Sequence, residues 1–393
     1  MTIELSIPPA SSDVPIEYRS LPTKPGVFLF QDEDGHTLAL AMTANLRRFI
    51  RSRLEPSPSE TTPSRRINYR DLSRTVHATT VGSAFEADWV YLQLARRHLP
   101  TTYAMMLDKW PCWFVHVDPD AKHPRWTKTS HPSLSSKNGN GCLFGPLADK
   151  HAAAKYIETV EDAFDLCRYH HILLDSPHAS ACAYKEMGRC DAPCDGSITM
   201  EAYRALVRET AEFASTPIER WRHDIESKMK EAGENLDYER ATSLKNLLDR
   251  TTPVTKRDFA HVREIEAFRF LGVFPSEHPD RARLFLVMGG RIEPFIDVPI
   301  EVAPNDLDSI IDALKARADS LATDLRDASL ENLGLVVRHL FKPKRDKKKG
   351  ELIHLEEALD RIRLAKALHG LKSKNSESNP EESLEDQLIE SLS

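Results

Sequence analysis

Four cysteines carry the most legible chemistry in this chain: Cys167, Cys182, Cys190 and Cys194, within CRYHHILLDSPHASACAYKEMGRCDAPC. Their spacing is C-x14-C-x7-C-x3-C, and Gly188 and Pro193 tighten the last pair. Four thiolates drawn together in a loop-rich stretch make a closed site for a soft metal or an iron–sulfur cluster. Two disulfides are the alternative. The amino-terminal MTIELSIPPASSDVPIEYRS has neither a basic leader nor an apolar core, so no export signal is expected and a reducing cytoplasmic setting follows. Spacing does not choose the metal, because tetrahedral zinc accepts four thiolates as readily as a cubane does. Cys112 and Cys142 fall outside the pattern and read as ordinary packed residues.

A second chemistry is cationic. Net charge is -7 over 393 residues, which excludes attraction of nucleic acid by the whole surface. Between Ala44 and Arg74, however, Arg47, Arg48, Arg51, Arg53, Arg65, Arg66, Arg70 and Arg74 face only Glu55, Glu60 and Asp71. Salt confines such a patch to a range of about 10 Å, within which it can still contact phosphates. The competing reading is a solvated helix face. Phe341–Gly350 (FKPKRDKKKG) is a further basic run and reads as a solvated loop. His170 and His171 adjoin Cys167, but four cysteines already complete a ligand set.

The elements that must position these groups follow from periodicity. Gly26–Phe30 reads as a buried strand, Asp34-Gly35 as a hairpin turn and Leu38–Ala41 as the returning strand. Asn45 is placed to cap an arginine-bearing helix, and Ser83–His98 has helical spacing. A proline-rich connector, Glu55–Ser64, lies between them. Trp113–Val117 reads as a strand, and helical periodicity returns over Asp149–Leu166 and Met200–Ala214. Ile218–Thr251 predicts a helical hairpin turning at Gly233–Asp237, with stripes Ile225/Met229/Ala232 and Ala241/Leu244/Leu248. Strands follow through 262–300, with Met288–Arg291 as a turn; helices are expected over 305–340 and 351–371. No stretch approaches the roughly 18 apolar residues of a membrane span.

Several of these segments, in order, resemble one family. Arg168 after the first cysteine, and the run Gly188–Cys194 (GRCDAPC), are similar to the cysteine segment of UvrC, the incision subunit of nucleotide excision repair, and of its shorter homologue Cho. The resemblance implies a [4Fe-4S] cluster on Cys167, Cys182, Cys190 and Cys194, with zinc second. Pro25-Gly26-Val27, Asp34-Gly35, Asn45-Leu46-Arg47, Arg51-Ser52, Glu86-Ala87, Pro100 and Trp110-Pro111 resemble the landmarks of the GIY-YIG nuclease domain. Its chemistry needs a tyrosine hydroxyl, an arginine and a metal-binding glutamate. The matching positions here are Phe28 and Ala39 for the tyrosines, Met42 for a lysine, Phe49 for the arginine, Tyr91 for the glutamate and Tyr103 for an asparagine. The resemblance therefore implies the fold with its nuclease activity lost and no catalytic divalent ion, Asp88 being the one conceivable displaced ligand. Arg47, Arg48, Arg51 and Arg53 would remain to contact DNA.

The hairpin resembles a UVR motif through Met229–Ala232, Asn235-Leu236 and Tyr238–Ala241. That implies docking of a UvrB-type partner on Met229, Leu236, Tyr238, Ala241 and Leu244. No second, RNase H-like nuclease and no helix-hairpin-helix module is evident in 305–393.

The expected molecule is an α+β multidomain chain. It runs from a flexible tail (1–20) to a degenerate GIY-YIG-like domain (21–116), a polar loop (117–147) and a four-cysteine segment (148–215). The UVR hairpin (216–253), a β linker (254–304), a helical region (305–372) and a disordered acidic tail (373–393) complete it. The expected function is a UvrC-like excision-repair protein that binds a UvrB-type partner and DNA without cutting. The alternatives are an active 3′-side incision endonuclease and a cluster-containing competitor of UvrC.

Overall fold

The computed structural model describes residues 2–9, 11–12, 14–55, 69–107, 111–130, 141–321, 330–341 and 349–371. Among them lie three small four-stranded antiparallel sheets and thirteen α-helices, a mixed α+β architecture. Arg65 and Arg66, most of the connector, most of the basic run after Phe341 and the acidic tail lie outside the described residues.

The first sheet has the order β1-β4-β2-β3, with β1 Thr2–Ser6, β2 Gly26–Gln31, β3 Thr37–Thr43 and β4 Thr75–Thr80. Helix α1 (Leu46–Leu54) begins as expected: the Asn45 side chain accepts from the Arg48 N–H at 3.0 Å. Ser83 caps α2 (Ala84–His98) in the same way, and α3 (Pro100–Leu107) follows. A Cβ at Gly26 would collide with the Thr79 carbonyl and the Leu46 side chain, so only glycine lets the strand lie this close to α1. Residues 1–20, expected as a loose tail, instead contribute β1, which pairs with β4 from Thr2↔Thr79 to Ser6↔Thr75. This pairing spans some seventy residues of chain, and no local signal announces it.

The second sheet, β6-β5-β7-β8, comprises β5 Trp113–Val117, β6 Thr127–Thr129, β7 Cys142–Leu147 and β8 Arg263–Glu264. Two boundaries change as a result. Trp113–Val117 leaves the first module, and the expected loop 117–147 contains two strands whose partner is β5. Helices α4 (Lys150–Ala163), α5 (His170–Leu173), α6 (Ala183–Glu186) and α7 (Met200–Ser215) complete this unit around Tyr156, Phe164, Tyr203 and Phe213. Helices α8 (Ile218–Glu234) and α9 (Tyr238–Thr251) form the predicted hairpin, anchored at its base by Trp221, 4.7 Å from Phe213.

The third sheet has the order β11-β10-β9-β12: β9 Arg269–Pro275, β10 Arg281–Met288, β11 Arg291–Pro299 and β12 Glu351–His354. Its hairpin turn is Gly289-Gly290, with φ of 55° and 87°, as a two-residue turn matching strand twist requires. One face (Phe270, Phe274, Phe285, Val287) packs on α2 and on α11 (Leu330–Leu340). The other (Leu271, Val273, Leu284, Leu286) packs on α10 (Pro304–Ser320), α12 (Leu355–Ala358) and α13 (Arg361–Gly370). Burial on both faces explains the unbroken apolar run Leu284–Met288. The segments 254–304 and 305–372 are thus one packed unit rather than a linker and a separate helical region. Glu351–His354, expected as helix, is a strand because Leu352 and Ile353 cover opposite faces of β9's sheet.

His354 closes this unit, 8 % exposed, its Nε2 3.2 Å from His261 Nδ1. Burial, then the charge of Arg263 and then His261, pulls its pKa down from 6.5 to about 3. Between those values the unfolded chain binds a proton that the folded chain refuses, so stability falls with pH. Acidification from pH 7 to 5 is expected to cost about 2 kcal/mol through this group. His354→Phe should flatten that slope in urea titrations; an unchanged slope would exclude His354 as its source.

Candidate metal centre

The cysteines sit where α4 ends and α7 begins, on a chain path fixed by short turns rather than by long elements. Cys167 follows α4, Cys182 caps α6, and Cys190 and Cys194 flank Ala192, whose φ is 50°. A non-glycine residue in that left-handed region marks a backbone held by its surroundings. Here Ser176 donates to the Pro193 carbonyl at 2.5 Å and Ala179 N–H to the Cys194 carbonyl at 3.0 Å. Tyr203, buried on α7, accepts from the Cys167 N–H at 3.3 Å.

Cys167, Cys190 and Cys194 are buried and Cys182 is half-buried. None of the six cysteines forms a disulfide, so the disulfide alternative has no support. The Cys167 and Cys190 side chains hydrogen-bond to each other, and Cys194 lies within electrostatic reach of both Cys190 and Cys182. That hydrogen bond, with help from the Ala192 backbone and Arg168, pulls Cys190 down, while it and burial push Cys167 up.

The donor set can be tested against its two candidate guests. Zinc–sulfur bonds of about 2.3 Å in a tetrahedron put the sulfurs about 3.8 Å apart. Among the described residues, the one group of three ligand atoms within 4.8 Å of one another is Asp32, Asp34 and His36, so no three of these sulfurs are that close. The donor chemistry, four thiols on one loop-rich stretch, suits either guest. The Asp32 group is an exposed hairpin turn in which Asp32 accepts from the Asp34 and His36 N–H groups at 3.0 and 2.8 Å.

The positions that the resemblance sets against a nuclease site are filled with packing. Phe28 and Phe49 meet with ring centroids 5.3 Å apart, and Ala39 and Ala41 stand opposite Phe30 and Phe28 on β3. Met42 and Tyr91 lie in a separate cluster with Val27. Tyr103 hydrogen-bonds to Glu331 of α11. Asp88, considered above as a displaced metal ligand, is buried against α11: His339 Nε2 lies 2.7 Å from its carboxylate and Arg338 4.0 Å away. Its Oδ2 is committed to that contact, which argues against the suggestion.

The arginine helix is likewise largely engaged. Arg47 donates to the Leu21 carbonyl at 2.6 Å and the Arg19 carbonyl at 3.1 Å. Arg51 pairs with Glu55 at 2.7 Å, and Arg53 lies 4.8 Å above the Phe49 ring. Arg48 and Arg51 are the exposed members. On the hairpin, Leu236 and Tyr238 are 69 % and 66 % exposed at the tip, whereas Met229, Ala241 and Leu244 are half-buried. A cleft of about 700 Å³ separates α9 from the cysteine unit, with Tyr238, Arg250, Phe164, Asp165, Asp191 and Leu206 on its walls. Arg250 reaches across to Asp165 at 2.7 Å. Sequence reasoning missed Tyr203 and Asp165; neither lies in a recognisable motif, and only the fold brings them to the cysteines.

The segment that carries the four cysteines is similar to a known family. Residues 112–213 match the family described as UvrC/Cho excinuclease, middle domain, a span that takes in β5 to α7 and all four cysteines. The UvrABC system protein C of Acetivibrio thermocellus is 24% identical over 281 residues, 71% of this chain and 44% of the relative. That of Leptospira biflexa is 25% identical over 283 residues, 70% and 44% of the two chains. That of Desulfitobacterium hafniense is 28% identical over 229 residues, 58% and 35%. This chain thus spans less than half the length of these relatives. No solved structure matches it. Residues 112–213 are therefore similar to the UvrC/Cho excinuclease middle domain, and about 70% of the chain is similar to part of the UvrABC system protein C of these relatives.

Proposed function

We propose that this chain serves nucleotide excision repair as a cluster-bearing, UvrB-docking protein whose GIY-YIG-like module contacts DNA without cutting it. Cys167, Cys182, Cys190 and Cys194 would hold a [4Fe-4S] cluster, which supplies a rigid cross-link and one-electron redox capacity. The hairpin would dock a UvrB-type partner through Leu236 and Tyr238, with Met229, Ala241 and Leu244 lining the seam. Two short amphipathic helices bury little apolar surface by themselves, and a second hairpin is their natural cover. Arg48 and Arg51 would meet the DNA backbone, since an exposed pair such as Arg51–Glu55 contributes little and is readily exchanged for phosphate.

The observation that carries the non-cutting reading is the contact between Phe28 and Phe49. It fills with two rings the space where a hydroxyl and a guanidinium would have to act on a phosphate. Among the described residues no helix is long and apolar enough to cross a membrane.

The test combines purified protein, a UvrB-type protein and lesion-bearing duplex with a divalent ion. Complex formation without nicking is expected, and Leu236→Ala/Tyr238→Ala should weaken the complex by at least about tenfold, as loss of a central aromatic anchor does. Strand scission on the 3′ side of the lesion would replace this reading with the incision enzyme. Binding unaffected by the double variant would move the partner site off the hairpin.

A further inference from the structure

The guanidinium of Arg168 occupies an unusual junction. Its Nη1 donates to the Leu166 carbonyl at 3.2 Å and to the Arg189 carbonyl at 3.0 Å. Those two carbonyls belong to the peptide units leading into Cys167 and Cys190, so one nitrogen bridges the backbones of two cysteines far apart in sequence. Nη2 donates to the Glu161 carbonyl at 3.3 Å and also to Asp162, while Nε donates to Asp162 at 3.1 Å, tying the junction to the end of α4. The plane of the group lies 4.4 Å from the centroid of Tyr184, two residues beyond Cys182. The side chain is only 12% exposed. Segments beside three of the four cysteines thus meet on a single fork of N–H donors.

We propose that Arg168 is the positioning residue of the cysteine pocket: it sets the separation of Cys167 and Cys190 and keeps the pocket shaped for the cluster before the cluster arrives. The inference rests on the cluster reading above. Lysine cannot replace it, because bridging two carbonyls while stacking on Tyr184 needs a planar fork with several donors. Residues that orient ligands from outside the metal shell alter affinity by about 10- to 100-fold when removed. Arg168 also places a positive charge beside Cys190. A reduced cluster, carrying more negative charge, is favoured by that neighbour, so Arg168 raises the reduction potential as well as the retention of iron.

Arg204 supplies the control. It is another half-buried arginine of the same unit, donating to the Ala121 and Lys122 carbonyls at 3.1 and 3.3 Å rather than to the carbonyls before Cys167 and Cys190. Wild type, Arg168→Ala, Arg168→Lys and Arg204→Ala would be reconstituted with iron and sulfide. Loss of cluster to a chelator, the reduction potential and thermal stability would then be followed. Arg168→Ala is expected to lose its cluster about tenfold faster than wild type or more, and at a lower potential. Arg168→Lys should also lose it faster yet keep the wild-type potential. Arg204→Ala should lower thermal stability and change neither cluster property. Equal acceleration in Arg168→Ala and Arg204→Ala, or wild-type retention in Arg168→Ala, would overturn the inference while leaving the cluster intact. If Arg168→Ala does not fold, Arg168→Lys against Arg204→Ala decides the same question. A wild-type protein that binds no iron would sink the cluster reading and this inference with it.

Discussion

Replacement of Cys190 by alanine is expected to yield a colourless protein with little bound iron and a melting point lower by about 10 °C. Cys190 is buried and shares a hydrogen bond with Cys167. On the cluster reading, removing it takes away one ligand and the partner that orders a second. Binding energy at such a site is folding energy, since the unfolded chain offers no preformed pocket. The loss should be local in its first effect, freeing the turns between Leu166 and Thr199, and should reach the hairpin through Asp165, which touches both Arg189 and Arg250. Cys142→Ala is the matched control, because Cys142 is half-buried on β7 and outside the centre. Iron content and charge-transfer absorbance measure the outcome. A Cys190→Ala protein with wild-type iron would remove this residue from the ligand set.

How far the chain could be read from its sequence depended on the range of the interactions. Local chemistry was legible. The Asn45 cap, the helix after Ser83, the Gly289-Gly290 turn and the α8–α9 hairpin each depend on a few consecutive residues, and each lies where expected. Long-range pairing was not legible. Thr2–Ser6 and Glu351–His354 are short segments with no turn to announce a partner, and they become strands only because β4 and β9 present open edges. The nuclease-like positions were readable as substitutions, but not what had been done with them. Asp88 offered a free carboxylate on paper, and only packing of α11 against α2 shows it spent on His339. Arg47 likewise reads as a cation for DNA until the Leu21 and Arg19 carbonyls come within its reach.

The same packing of α2 against the third sheet makes Arg283→Met the substitution with the largest expected effect on stability, about 3 kcal/mol. Arg283 on β10 stands directly across from Asp297 on β11 and binds it through two nitrogens, at 2.7 and 3.0 Å. Its third nitrogen donates to Glu86 on the first turn of α2. Glu86 is 4% exposed, and its other oxygen accepts from the Gly82 N–H at 2.8 Å. Burial raises the Glu86 carboxyl above its usual range, with Gly82 and Arg283 opposing that rise. Asp297 shows the reverse balance, Arg283 and Ser276 outweighing burial and holding it low. Methionine would keep the stem and its packing while leaving Glu86, Asp297 and Glu277, the last 3.9 Å from Arg283, with Arg281 beside Asp297 as the remaining cation. Such a cluster resists salt, being shielded from counter-ions, so the loss should persist at high ionic strength. A Glu86→Gln/Arg283→Met double variant should recover part of the stability, because the amide is satisfied by Gly82 and carries no charge. Hydrogen exchange should report the damage first in α2, the element on which the first module meets the third sheet. Protection of α2 unchanged in Arg283→Met would show that the apolar contacts of Phe85 with Phe274 and Phe285 hold that junction without the ion pair.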